Sequence, residues 1–412
     1  MSRKNARMLL VSLVCSAGLL TGCTQSSRNK EYVSTAKAKA DAMKAGTEFQ
    51  MAHQAFLAGD LAKARTKVEQ SLSLNPNVAR SHVLRGRILM EQSQLGPALE
   101  AMEMAKAISE ESAEAWYYEG IVFERLTRRE RALNSFMTAA RLDDTNAGYH
   151  IAAAEVFVDL GRYNDAEEFL LNAGSQFEHN SGVRHTLGQI AMLQGDFVRA
   201  AVLFNEARLL APDELAIVED LVDAQIRSNR FNDAESNLSR LLSRTDYKDR
   251  RDLQHLRANC LIELDRFSEA RQVLMALTND SEGANDIDAW IKLGRVSVAM
   301  RDERQLRRCA QRAVAIAPNR ADGHMLMAVS LRLQNRNDDA LRSVDRAITA
   351  EPKNVNAHTM RGMILQDLGR TVHAREAFRN ALAIDPNNQT VRALARGGSA
   401  SPVATVPTDG ND

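Results

Sequence analysis

Small and apolar residues return along this chain in a fixed order. The stretches HTLGQIAMLQGDFVRAAVLFNEARLLAPDE (185–214) and HTMRGMILQDLGRTVHAREAFRNALAIDPNN (358–388) both place Gly, a Gly-Asp or Gly-Arg turn, Ala, Phe, Ala and Pro at matching offsets. Written in frames of 34 residues, the sequence gives repeats starting at 45, 79, 113, 147, 181, 215, 251, 287, 321 and 355. The frames at 215 and 251 carry two extra residues each. A period of this length marks a repeat architecture, in which each frame is one supersecondary unit that buries its apolar stripe against its neighbours.

Residues of different physical purpose keep the same phase. Frame position 8 is Gly86, Gly120, Gly188, Gly294 and Gly362, or Ala52, Ala154, Ala258 and Ala328; Val222 is larger. Small residues there predict the closest approach of two helices. Position 20 is alanine at 64, 98, 132, 166, 200, 234, 270, 340 and 374, predicting a second small-residue contact. Between the two sits a turn with Gly59, Gly161, Gly195 and Gly369, which accept the positive φ that ends a helix. Pro76, Pro212, Pro318, Pro352 and Pro386 fall on position 32, where proline stops the second helix. The frame at 287 departs from the pattern, with Leu306 at position 20 and Ala310 at position 24, a swap that can conserve volume.

Trp116, Gly120, Ala132, Phe136 and Ala139 in one frame, and Trp290, Gly294, Ala313 and Pro318 in another, resemble the tetratricopeptide repeat. The resemblance runs from Ala45 to Asn388. It implies an all-α fold, a superhelical solenoid of about ten helix-turn-helix repeats, with stability summed over nearest neighbours. The family lines its concave surface with the first helix of each pair, through frame positions 2, 5, 9, 12 and 13, which share one helical face. Those positions hold Tyr117, Ile121, Glu124 and Arg125, then Ile151, Glu155, Val158 and Asp159. Farther along come Ile291, Arg295 and Val298, then Met325, Val329, Arg332 and Leu333. Aliphatic side chains exposed in two patches rimmed by charge predict docking of an extended or helical peptide; the alternative at each position is packing against the neighbouring helix. The carboxylate clamp of some family members needs lysines and asparagine at positions 5, 9 and 13; Asn259 alone fits, so that clamp is not expected.

The ends read differently. Residues 1–7 carry Arg3, Lys4 and Arg7 and no acid, and an apolar run follows from Met8 to Leu20, the length of a secretory signal core rather than of a membrane span. Leu20-Thr21-Gly22-Cys23 resembles the bacterial lipobox. The resemblance implies a signal peptide over 1–22, lipidation of Cys23, and residence at the outer membrane facing the periplasm, since Thr24 stands where aspartate signals inner-membrane retention. More than one acyl chain holds a protein stably. The alternatives are an ordinary signal peptide with an incidental cysteine, or a short membrane anchor. Residues 23–44 read as the lipidated cysteine and a tether, helical from Glu31; residues 388–396 read as a capping helix, and the tail to 412 as disordered.

Removal of 1–22 leaves 50 basic against 53 acidic residues, which provides no electrostatic footprint for nucleic acid or anionic lipid. Cys260 and Cys309 each lie in an apolar helical context, where cysteine acts as a small hydrophobe; a disulfide between them is the less favoured reading. No phosphate-binding loop, nucleophile elbow, metal-protease helix or calcium loop occurs, and the repeats leave no room for an added catalytic domain. No enzymatic activity, cofactor, metal or small-molecule substrate is expected. His53, His185 and His255 fall on the inner helix face, most simply as solvated side chains. The sequence thus predicts a lipid-anchored interaction scaffold for an envelope machine. Lipoproteins of this build resemble those that assemble Flp and type IV pili. A regulator of cell-wall synthases or proteases, an outer-membrane biogenesis factor, and an enzyme of unrecognised type are the alternatives.

Overall fold

The computed structural model describes residues 32–279 and 282–396. The signal segment, Cys15, Cys23, Gly397-Gly398 and the tail lie outside the described residues. Within them the chain is helix, turn and short 3-10 segments, with no strand. It divides into two compact units, with the boundary between Ala211 and Pro212.

The first unit holds α1 (32–57), α2 (Leu61–Leu74), α3 (Ala79–Glu91), α4 (Leu95–Ile108), α5 (Ala113–Arg125) and α6 (Arg129–Leu142). It continues with α7 (Ala147–Asp159), α8 (Tyr163–Asn172), α9 (Ser181–Leu193) and α10 (Phe197–Leu210). The second unit holds α11 (Leu215–Arg227), α12 (Phe231–Leu242), α13 (Arg251–Glu263), α14 (Phe267–Asn279), α15 (Ile287–Ala299) and α16 (Glu303–Ile316). It ends with α17 (Ala321–Leu333), α18 (Asn337–Ala350), α19 (Val355–Asp367), α20 (Thr371–Ile384) and α21 (Gln389–Ala395). Helices α3, α5, α7, α9, α11, α13, α15, α17 and α19 begin on the residues that open the sequence frames.

Inside each pair the close approach is a glycine facing a large side chain. A Cβ at Gly120 would lie 2.5 Å from the Phe136 ring and one at Gly188 2.6 Å from Phe204; at Gly362 it would meet Phe378 in the same way. Phe136, Phe204 and Phe378 are buried, and each occupies position 24 of its own frame. The frame at 287 solves the same problem differently. With Ala310 at position 24, the space beside Gly294 is taken by Leu326 of the next repeat, 2.6 Å from where a Cβ would stand. Leu306 and Ala310 are both fully buried.

The turns within the pairs obey one backbone rule. Position 15 has positive φ in Gly59, Gly161, Gly195 and Gly369, and equally in Ser93, Thr127, Asn229, Asp265, Arg301 and Asn335. Thr127, at φ 57°, is the most strained choice, because its β-branch crowds the left-handed region. Thr127→Gly is therefore expected to stabilise the chain by about 1 kcal/mol in urea unfolding, the order of the left-handed penalty; a lowered midpoint would refute this account of the turn.

A second recurrent feature joins one pair to the next. The His82 Nε2–H donates to the carbonyl of Pro76 at 2.8 Å, His324 to Pro318 at 2.8 Å, and His358 to Pro352 at 2.9 Å. Trp116 donates to Glu110 at 3.4 Å, Arg184 to Glu178 at 3.0 Å, Gln254 to Lys248 at 2.7 Å and Trp290 to Gly283 at 3.0 Å. Arg392 reaches the Pro386 carbonyl in the same way. These eight donors share frame position 4 or its continuation in α21, and each satisfies a carbonyl in the turn just before its own helix. Except at Gly283, which also accepts from the Asp286 backbone N–H, such a carbonyl would otherwise lack a backbone partner. His150 bonds the Asn146 carbonyl instead, at 3.3 Å, and packs on Phe177.

Cys260 and Cys309 are free and buried. Cys260 packs with Val218, Leu238 and Leu253, Cys309 with Trp290 and Leu293. Burial pushes each thiol up to about 12, so neither is ionised near neutrality. The first helix runs unbroken through the region read as tether, from residue 32 to residue 57.

Candidate functional site

The inner-face positions separate into two groups by burial. On α5 and α7 of the first unit, Tyr117, Ile121, Ile151 and Val158 are half-buried, while Glu124, Arg125, Glu155 and Asp159 are exposed. On α15 and α17 of the second unit, Ile291 and Val298 are 4% exposed and Met325 and Val329 are 2% exposed, so the exposed aliphatic patch expected there is corrected. All four belong to one apolar cluster with Leu326, Met360 and Ile364. The reason is packing between repeats, which closes side chains of α15 to α19 over them in one cluster. What remains at that surface is Arg295, 3.6 Å from Asp322, Arg332, 2.5 Å from Asp367, and Leu333, 36% exposed.

The α5–α7 face is different because the first helices pack closely at α3–α5 and at α7–α9, whereas α5 and α7 make few close backbone approaches. Aromatic rings occupy the interval. Tyr117 lies 5.0 Å from Tyr149, 5.3 Å from Tyr118 and 5.5 Å from Phe136, so the half-buried ring is footed on the core. Tyr149 belongs to this cluster but sits at frame position 3, outside the positions from which the face was read; its aromatic character was the one signal available.

Electrostatics set the character of the face. Burial, then the Glu124 and Asp159 charges, hold the Glu155 carboxyl above the usual carboxylate range. Burial and Asp159 do the same to Glu124, with Arg125 opposing them. The Tyr117 hydroxyl is pushed up by burial and then by Glu155 and Glu124. Neighbouring cations are already engaged. Arg125 pairs with Glu91 at 3.2 Å and donates to the Met90 carbonyl at 2.9 Å; Arg129 lies 3.7 Å from Asp159. Arg87 sits over the Tyr118 ring at 4.7 Å and 3.6 Å from Glu114. The face is therefore apolar at its floor and anionic at its rim.

The inner-face histidines are engaged rather than merely solvated. His53 stacks on Phe49, His185 lies 5.4 Å from Phe204, and His255 shares a 2.8 Å hydrogen bond with Asp286. Among the described residues no group of three or more His, Cys, Asp or Glu side chains is disposed to hold a metal ion, and no helix is long and apolar enough to cross a membrane.

Two models of the tetratricopeptide repeat match the chain, one at residues 49–113 and 325–389 and the other at 191–254. No curated protein matches it. Among solved structures it is similar to PilW, a widely conserved type IV pilus biogenesis factor, at 18% identity over 52% of this chain and 97% of that one, with a TM-score of 0.45. It is also similar to Pseudomonas aeruginosa PilF, at 13% identity over 52% and 99% of the two chains, TM-score 0.44. A thermophilic protein of the same repeat from Thermus thermophilus shares 21% identity over 44% and 99%, TM-score 0.37.

Proposed function

Since the chain carries tetratricopeptide repeats and so is a protein-interaction scaffold, we propose that it works as a lipid-anchored adaptor. In this reading it holds a segment of a partner protein against the α5–α7 face. The observation that carries the docking site is the half-buried set of Tyr117, Ile121, Ile151 and Val158 at the inner-face positions of α5 and α7, bordered by the exposed Glu124 and Glu155. Apolar side chains held at a concave rim of charge are how helical repeats take extended peptides. The lipobox at Leu20–Cys23 supports attachment at Cys23, in the outer membrane facing the periplasm. An anchored scaffold of this build suits the gathering of envelope components, with assembly of an Flp or type IV pilus as the leading case. Regulation of wall synthases or proteases is the second reading.

The test is crosslinked affinity purification of the tagged full chain from membranes, with two variants. Cys23→Ala is expected to abolish fatty-acid labelling and membrane attachment. Ile121→Asp with Val158→Asp is expected to abolish partner capture while circular dichroism stays unchanged. Pilus or secretin subunits in the wild-type capture would support the first reading, and wall synthases the second. An unlabelled wild type removes the anchor, and capture indifferent to the Asp pair removes the docking face.

A further inference from the structure

The α5–α7 face lacks positive charge at the place where the chain elsewhere supplies its own. Frame position 9 is Arg87 on α3, Ile121 on α5 and Glu155 on α7. Arg87 lies over two rings at once, 4.9 Å from Phe56 and 4.7 Å from Tyr118, and position 2 of the same helix, Arg80, covers Phe49 at 4.8 Å. So on α3 the chain's own guanidinium groups fill the aromatic faces, the arrangement in which a cation gains most from a ring. One pair on, the Tyr117 ring is flanked by Glu155 and Glu124 instead, and no cation lies over it among the described residues. Each nearby arginine already has a carboxylate: Arg87 has Glu114, Arg125 has Glu91, and Arg129 has Asp159. Glu124 and Glu155 make no ion pair among the described residues, and only Arg125 acts on Glu124 from beside it, so carboxylates border an apolar floor.

Resting on the docking face argued above, we propose that its occupant is a basic extended segment of a partner protein. One arginine or lysine sits between Glu124 and Glu155 over the Tyr117 ring, where it completes both the charge and the cation–ring contact that α3 makes internally. Alternate aliphatic side chains of the segment lie against Ile121, Ile151 and Val158. An acidic segment meets the like charge of both glutamates, so the face discriminates by sign as well as by shape.

Fluorescence anisotropy tests this on the full chain with two labelled decapeptides, one alternating leucine and arginine, the other alternating leucine and glutamate. The basic peptide is expected to bind at least tenfold more tightly than the acidic one. Glu124→Gln with Glu155→Gln is expected to weaken the basic peptide at least tenfold. Relief of repulsion among Glu124, Glu155 and Asp159 keeps that variant's unfolding midpoint at or above the parent's. Glu100→Gln with Glu103→Gln, which removes the same charge from the exposed face of α4, is expected to leave binding within twofold. Equal binding of the two peptides, binding of neither, an unaffected Glu124/Glu155 variant, or an equal loss in the α4 control each overturns the proposal. If partner capture in membranes is lost with the Ile121/Val158 pair but not with the Glu124/Glu155 pair, the docking face stands and its basic occupant falls.

Discussion

Phe136→Ala is expected to destabilise the chain by about 3–5 kcal/mol, the usual cost of emptying a fully packed aromatic site. Phe136 is 1% exposed, and its ring occupies the volume that a side chain on α5 would need, 2.5 Å from a Cβ built at Gly120. A helix pair held by one glycine and one ring cannot collapse easily, because the backbones are already at closest approach. Gly120→Ala alone is expected to cost about 1–3 kcal/mol by overpacking. In the double variant part of that loss disappears, since the added methyl enters the vacated space; contacting residues are non-additive in this way. Trp116 on α5 reports the transition directly in urea if Trp290 is first replaced by phenylalanine. Additive losses would mean that the two positions do not share one space. Because the Tyr117 ring rests 5.5 Å from Phe136, the same variant should also disorder the docking face.

Lys106→Met is the second large effect, expected at about 3 kcal/mol or more, because breaking one side of a buried pair costs far more than replacing both sides. Lys106 on α4 pairs with Glu119 of α5, and its ammonium lies 4.0 Å from the Trp116 ring centroid. Glu119 is 5% exposed and is otherwise bonded only by the Ser135 hydroxyl, 2.9 Å away. Methionine keeps the length and apolar stem of lysine and removes the charge, so the variant strands a buried carboxylate. Lys106→Met with Glu119→Leu should therefore recover most of the loss in urea unfolding. A single variant as stable as the parent would show that Glu119 is solvated in solution.

Much of this architecture is legible in the residues themselves. Glycine at 86, 120, 188 and 362 announces a close contact because nothing larger fits, and each of these does face a large side chain of its own pair. The left-handed turn was readable at Gly59, Gly161, Gly195 and Gly369 and silent at Ser93, Thr127, Asn229, Asp265, Arg301 and Asn335. Those six residues take positive φ because the helix-end hydrogen bonds of the turn require it, and Asn229, Asp265 and Asn335 do so most readily. The candidate face divides in the same manner. Periodicity assigns Ile121 and Val329 to the same side of equivalent helices, yet one is half-buried and the other 2% exposed. Which it becomes depends on how side chains of neighbouring repeats close over it, a quantity set between repeats and absent from any single frame. Tyr149 was missed for the complementary reason, a large ring reaching into the face from a neighbouring position.

The donors at frame position 4 make a different point. Histidine, tryptophan, arginine and glutamine there look unrelated when compared as letters, and a substitution score would treat them as drift. In the folded chain they are synonyms, since each presents one N–H to the carbonyl of the preceding turn. What passes from repeat to repeat at this joint is a hydrogen-bond donor of sufficient reach, and the alphabet open to it is therefore set by functional group rather than by size. A leucine would fill the space of His324 and still leave the Pro318 carbonyl mute; an arginine, far larger, would continue the sentence.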